Sequence, residues 1–218
     1  IKTVTNYRFP FLQKDSSIIV LKSSYQKTDA LIQLKNGKEK VLTRIGFNIE
    51  KYLSVTQNKA IWTEYERDPR RSKKNYSNIV YYDLKTKKKT RLTIVGRFFT
   101  PDFSNSEGRI VTVQITHEQK NNIVVLNAKD GKLLSIIPNP DNLFLSFPKW
   151  ADNDTDIIYI GKNNSRLAIF KYNLIDHSTI QLTDWTHHTI ADLFVKNRMV
   201  YFTSSFSGID NIYKTNLS

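Results

Sequence analysis

The sequence contains no cysteine and one methionine in 218 residues. Disulfides, thiolate-bound metals and thiol nucleophiles are therefore excluded, and the absence fits an oxidising compartment as readily as a reducing one. With only 7 glycines and 6 prolines, no long linker or low-complexity tract is visible. Nowhere do about 18 apolar residues run together, so no membrane-spanning helix is expected. Residues 1–20 lack the charged-then-apolar pattern of a signal peptide. The chain opens on Ile1 rather than methionine, which reads as an excised piece whose leader could have gone with whatever preceded it. Neither HExxH, G-x-S-x-G nor a glycine-rich phosphate loop occurs. Helical periodicity is nearly absent as well.

Positive charge is what the chain has in excess. Lysine and arginine number 33 against 20 acidic residues, a net charge of +13. Such a balance points to an acidic partner or to a solvated basic surface. The charges fall in small groups ("RRSKK" at 70–74, "KTKKK" at 85–89, "KNGKEK" at 35–40). Nucleic-acid binding would show denser basic and aromatic interleaving, so no specific nucleic-acid partner is expected.

Short β-branched and aromatic runs recur along the whole chain: "SIIVLKSS", "AIWTEYE", "NIVYYDL", "RIVTVQI", "NIVVLNA", "DIIYIGK", "LAIFKYNL", "MVYFTSS" and "NIYKTNL". Many alternate apolar and polar residues, as half-buried strands do. They repeat as a unit of roughly 45 residues: strand, polar turn, strand often carrying Leu-Thr, connector, strand. The Leu-Thr pairs stand at 42–43, 92–93 and 182–183. That period with four strands per unit predicts an all-β fold, a β-propeller of four-stranded antiparallel blades. About five blades are expected, in one domain over 1–218, at approximately 9–45, 51–95, 101–138, 146–185 and 192–217. The fifth has three strands. Lys2–Tyr7 carries the outer-strand pattern, and two alternatives stay open: it pairs with Asp210–Leu217 and seals the blades, or the chain is an excerpt of a longer propeller.

The segments "PDFSNSEGRIVTV" (101–113), "FPKWADNDTDIIYI" (147–160), "NIVYYDLKTKKKTRLT" (78–93) and "YFTSSFSGIDNIYKTNL" (201–217) resemble the repeat of the TolB-like β-propeller family. The segment 62–84 is similar to a blade of large secreted or envelope-associated bacterial proteins. The resemblance implies a non-enzymatic binding or scaffolding module, periplasmic or extracellular, within a longer protein. It leaves open a propeller that gates substrate to a peptidase or hydrolase domain lying elsewhere.

In such a fold the loop between the second and third strands and the connector between blades share one face, the usual place for a ligand. The long basic loop 67–77 falls there, with Arg67, Asp68, Arg70, Arg71, Lys73, Lys74 and Tyr76. Arginine forks and a tyrosine ring suit a carboxylate or phosphate; a solvated hairpin tip is the plainer reading. His117, Glu118, His187 and His188 are expected on the same face. Their separate loops match no metal-ligand spacing, so exposed polar residues compete with a ligand-binding or general-base role, and no metal or cofactor is assigned. Ser204, Ser205 and Ser207 read as turn residues rather than nucleophiles. Trp62, Trp150 and Trp185 read as core. The expected partner is a protein, peptide or glycan, acidic in character, bound by a monomer.

Overall fold

The computed structural model of the chain describes residues 4–217, with the backbone alone described at 72–74. Among the described residues all regular structure is β, in nineteen strands and five antiparallel sheets. Sequential strands pair in order: β1 (Thr5–Leu12) to β4 (Lys38–Arg44), β5 (Ser54–Val55) to β8 (Lys88–Arg91), β9 (Phe98–Phe103) to β12 (Leu133–Ile136), β13 (Phe144–Trp150) to β16 (Thr179–Gln181), and β17 (Ile190–Lys196) to β19 (Asn211–Asn216). Four sheets have four strands and the last has three. These are five blades of a β-propeller fold.

The chain forms two compact units, Ile1–Pro101 and Asp102–Ser218. The first holds β1 to β8. Its core joins Ile19, Leu21 and Leu31 of one sheet to Ala60, Trp62, Val80 and Tyr82 of the next, with Ile45 and Leu53 from the connector between them. The second unit packs Ile158, Ile160 and Ile169 against Ile190, Leu193, Val200, Phe202 and Leu217. Burying each such aliphatic side chain contributes about 1.5–3 kcal/mol. Trp62 and Trp150 are buried as expected, at 0% and 5% exposure, and half-buried Trp185 meets Phe170 edge-on.

Two sequence features of the repeat acquire physical content. The innermost strands β1, β13 and β17 each carry a bulge. At these bulges Phe9, Phe147 and Asp192 adopt positive φ (54°, 49° and 52°), and Thr100 of β9 does the same at 47°. Phe9, Thr100 and Phe147 each precede a proline, which already bars the ordinary helical region to them. A bulge bends the strand and re-aims the chain as it enters the blade.

The Leu-Thr pair closes the outer edge. The Leu92 amide donates to the Ile79 carbonyl at 2.9 Å, and the Ile79 amide donates to Thr93 Oγ1 at 2.8 Å. Leu182, Thr183 and Ile169 repeat this at 2.8 and 3.0 Å. The threonine takes the backbone donor that the ending outer strand no longer satisfies.

The N-terminal segment departs from expectation. Thr5, Asn6 and Tyr7 pair with Ser24, Ser23 and Lys22 of β2 (Ile18–Ser24), at the start of the first blade's innermost strand. They are therefore not the missing outer strand of the last blade. The register of β1 extends four residues before Phe9 because the bulge lets one strand continue past Pro10. Lys2 and Thr3 lie outside the described residues.

Candidate ligand-binding rim

In the first unit the turn between β2 and β3 (Ala30–Lys35) and the β4–β5 connector do come together. Ser24–Asp29 and Ile45–Lys51 enclose an open cleft of about 430 Å³. Tyr25 and Phe47 stand at its mouth, 95% and 68% exposed. Lys51 pairs with Asp29 at 3.0 Å, while Lys27 is exposed. Asn48, almost fully buried in the wall, donates to the Tyr52 carbonyl at 2.9 Å. A smaller cavity of about 170 Å³ adjoins it across Ser24, Lys27 and Thr28, and adds Lys22, Glu39 and Arg44. Across the two cavities four cations face two carboxylates, so the lining favours an anion.

The basic segment 67–77 is not a loop. The strands β6 (Lys59–Asp68) and β7 (Arg71–Asp83) continue through it as one long hairpin, turning at Pro69–Arg70. Asp68 makes the turn. Its Oδ1 accepts from the Arg70 and Arg71 amides at 2.9 and 3.1 Å, and its Oδ2 accepts from the Tyr76 hydroxyl at 2.9 Å. Asp68 and Tyr76 thus shape the tip. Arg67, Arg70 and Arg71 are exposed, and among the described residues no carboxylate pairs with them. The side chains of Lys73 and Lys74 lie outside the described residues.

Both flanking connectors brace this hairpin. On one side the Tyr65 amide donates to the Phe47 carbonyl at 2.7 Å, and their rings meet edge to face at 5.7 Å. On the other the Ser77 amide donates to the Gly96 carbonyl at 2.8 Å. Beneath the hairpin, Glu64 collects the Gly46 amide at 2.7 Å, the Trp62 indole at 2.9 Å and the Lys89 ammonium at 2.7 Å. Burial works against ionising Glu64, yet Lys89, the Gly46 amide and the Trp62 indole outweigh it and hold the carboxyl below its ordinary range. A Cβ at 46 would stand 2.7 Å from the Glu64 carboxyl carbon, so a side chain there would displace that carboxyl from its donors. Glu50, which accepts from Thr63 Oγ1 at 2.7 Å, is pushed up by burial, and that hydroxyl offsets only part of the rise.

In the second unit the expected residues divide. His117 and Glu118 occupy the exposed β10–β11 turn (β10 Arg109–Ile115, β11 Asn121–Asn127), where Lys120 pairs with Glu118 at 2.9 Å and keeps its carboxyl low. His187 and His188 lie in the connector before β17. His187 Nδ1 is 3.2 Å from Ser165 Oγ, and the His188 ring meets Phe206 at 5.4 Å. Thr189 Oγ1 donates to Ser205 Oγ at 3.1 Å. That connector therefore gathers both neighbouring turns. Among the described residues no group of three or more His, Asp or Glu stands close enough to hold a metal ion. Ser207 is engaged in its own turn, accepting from Asn211 Nδ2 at 2.7 Å and the Tyr213 hydroxyl at 3.3 Å. Gly208 supplies the φ of +84° that this turn needs.

Solved structures share this architecture. TolB from Acinetobacter baumannii aligns over 97% of this chain and 54% of its own, with a TM-score of 0.64 and 13% identity. The fold is that of a TolB-like β-propeller. A puromycin-hydrolysing peptidase from Mycobacterium tuberculosis aligns over 98% of the chain and 36% of its own length, with a TM-score of 0.68 and 13% identity. An oligogalacturonate lyase in complex with manganese aligns over 95% of the chain and 61% of its own, with a TM-score of 0.67 and 13% identity. The 218 residues thus span between about a third and three fifths of these three proteins. No protein-family model matches the chain, and no curated protein matches it in sequence. At such identities the shared property is the fold, found in TolB and in peptidases alike.

The cleft residues Tyr25, Lys27 and Phe47 are absent from the sequence-based expectation. A weak signal existed: "SSYQKTD" (23–29) is the first blade's loop between second and third strands, equivalent to 67–77. Its shortness hid it.

Proposed function

We propose that the chain is a non-enzymatic binding propeller module that engages an acidic protein, peptide or glycan through the rim of its first unit. The observation that carries this reading is the basic hairpin, braced at its base by both connectors, on the same unit as a cleft of about 430 Å³ lined by Tyr25, Lys27, Phe47 and Lys51. A braced arm loses little entropy on binding, and unpaired arginine forks suit carboxylates. We infer a periplasmic or extracellular bacterial location, supported by the likeness to TolB. Calorimetric titration with polyglutamate and with oligogalacturonate tests the reading. Binding of either that weakens with salt and is lost in an Arg67→Ala/Arg70→Ala/Arg71→Ala variant supports it. No binding of either probe, together with turnover of peptide or glycan substrates, would overturn it.

A second reading is that the module gates substrate to a peptidase or other hydrolase domain encoded elsewhere in the same protein. The likeness to the puromycin-hydrolysing peptidase, of which the chain covers 36%, favours it. Coding sequence beside residues 1 and 218 that holds a G-x-S-x-G or HExxH domain would support it, and its absence would remove it.

A further inference from the structure

The cleft of the first unit has an unmet buried acceptor in its wall. Asn48 lines the cleft and is 2% exposed. Its Nδ2 donates to the Tyr52 carbonyl at 2.9 Å, whereas its Oδ1 has no donor among the described residues. Turning the amide over would set Oδ1 against the Tyr52 carbonyl oxygen, so the orientation is fixed. Buried acceptors are almost always met, and one left unmet is costly. Because Asn48 lines the cleft, the cleft is the side from which a donor reaches it. The wall that carries it is held in place. The Ile45 amide donates to the Asp29 carbonyl at 2.9 Å, which ties the connector to the facing turn. The Gly46 amide is fixed on Glu64 at 2.7 Å, and the Phe47 carbonyl accepts from the Tyr65 amide at 2.7 Å. The Phe47 ring is thus positioned while still exposed, as is Tyr25 on the turn.

These groups specify a ligand. With Nδ2 committed to Tyr52, Asn48 offers an acceptor only. A donor-only group suits it better than a sugar hydroxyl, whose lone pairs ask for a donor in return. An ammonium is disfavoured by the charge of the lining. Lys51 is paired with Asp29 at 3.0 Å, which leaves Lys27 exposed and without a carboxylate partner among the described residues. An amide N–H remains. Lys27 suits a carboxylate on the same ligand, and the rings of Tyr25 and Phe47 suit an apolar side chain. An amide N–H, a carboxylate and an apolar side chain on one chain describe an acidic peptide.

We propose that the cleft binds an acidic peptide segment, with a backbone N–H of the peptide donating to Asn48 Oδ1, a carboxylate on Lys27 and an apolar side chain against Tyr25 and Phe47. This rests on the rim reading above and names a peptide, not a glycan, as its ligand. The test titrates the intact chain calorimetrically with acetyl-Glu-Phe-Glu amide, and with polyglutamate beside it. Saturable binding of the tripeptide is expected, weakened about tenfold when an ester oxygen replaces the amide N–H at one of its residues. In Asn48→Ala, its fold checked by circular dichroism, that ester penalty is expected to vanish. Lys27→Ala, a change at an exposed side chain, is expected to erase the preference for the glutamate peptide over its glutamine analogue. Should Asn48→Ala not fold, the ester series on the wild type and Lys27→Ala decide. Indifference to the ester at every position overturns the proposal, as does a penalty that persists in Asn48→Ala or a glutamate preference that survives Lys27→Ala. Failure of the tripeptide to bind overturns it too, and polyglutamate that still binds then leaves the rim reading standing, so the two fail separately.

Discussion

Replacing Glu64 by glutamine removes one charge and little volume from the base of the rim. Three donors converge on its Oε1: the Gly46 amide, the Trp62 indole and the Lys89 ammonium. The Glu64 side chain is only 17% exposed, and that of Lys89 is 35% exposed. Hydrogen bonds to a charged acceptor contribute about 1.5–3 kcal/mol against about 1 for neutral ones. Solvent reaching Lys89 screens part of the ion pair, so the expected loss is about 2 kcal/mol rather than the larger cost of breaking a fully buried pair. For a chain of this size that lowers Tm by roughly 4–8 °C. The pH dependence carries the decisive sign. Because the folded-state carboxyl is held below its ordinary range, its stabilisation is complete above the unfolded value near 4.3 and fades as the pH falls through the folded value. The gap between wild type and Glu64→Gln should therefore be widest at neutral pH and close on acidification below about pH 4. Urea unfolding of both proteins across that range measures it. Equal stabilities at pH 7 to within about 0.5 kcal/mol, or a gap that persists in acid, would refute the assigned network.

Thr93→Val and Thr183→Val each strip the acceptor from a buried isoleucine amide; each should cost about 1–3 kcal/mol in chemical denaturation, with Thr→Ser restoring most of it. Glu50→Gln should raise stability at neutral pH, since burial disfavours the Glu50 carboxylate, and this advantage should vanish in acid, where the carboxyl is protonated. Burial pushes the Tyr159 phenol up to about 12, so ultraviolet titration should show one tyrosine ionising late and its Tyr159→Phe variant lacking that step. Gly161→Ala should be destabilising, because its Cβ would stand 2.7 Å from the Phe170 ring.

Much of the fold was legible because a strand's pattern is local. Alternation in "RIVTVQI" and "DIIYIGK" places one face inward whatever surrounds it, and the observed strands Arg109–Ile115 and Asp156–Asn163 match the expected ones closely. The Leu-Thr pairs marked outer strands before their latch was visible. The first strand was misassigned because "KTVTNY" fits an outer strand and an innermost one equally well. Only the pairing register with Ser24–Leu21, beyond a bulge, separates the two. The rim was legible as charge but not as geometry. Arginine at 67, 70 and 71 was plain in the sequence, whereas Asp68 serving the turn, and Phe47 and Gly96 gripping the hairpin, depend on contacts between residues up to 20 apart.

The chain's composition and period therefore dictate an all-β repeat, because hydrophobic alternation and turn chemistry act over neighbouring residues. Which residues line the cleft and which carboxyl the Gly46 amide meets were decided by tertiary structure. Those facts concern which backbone groups meet across sheets and connectors, and a one-dimensional pattern does not encode who the partner is.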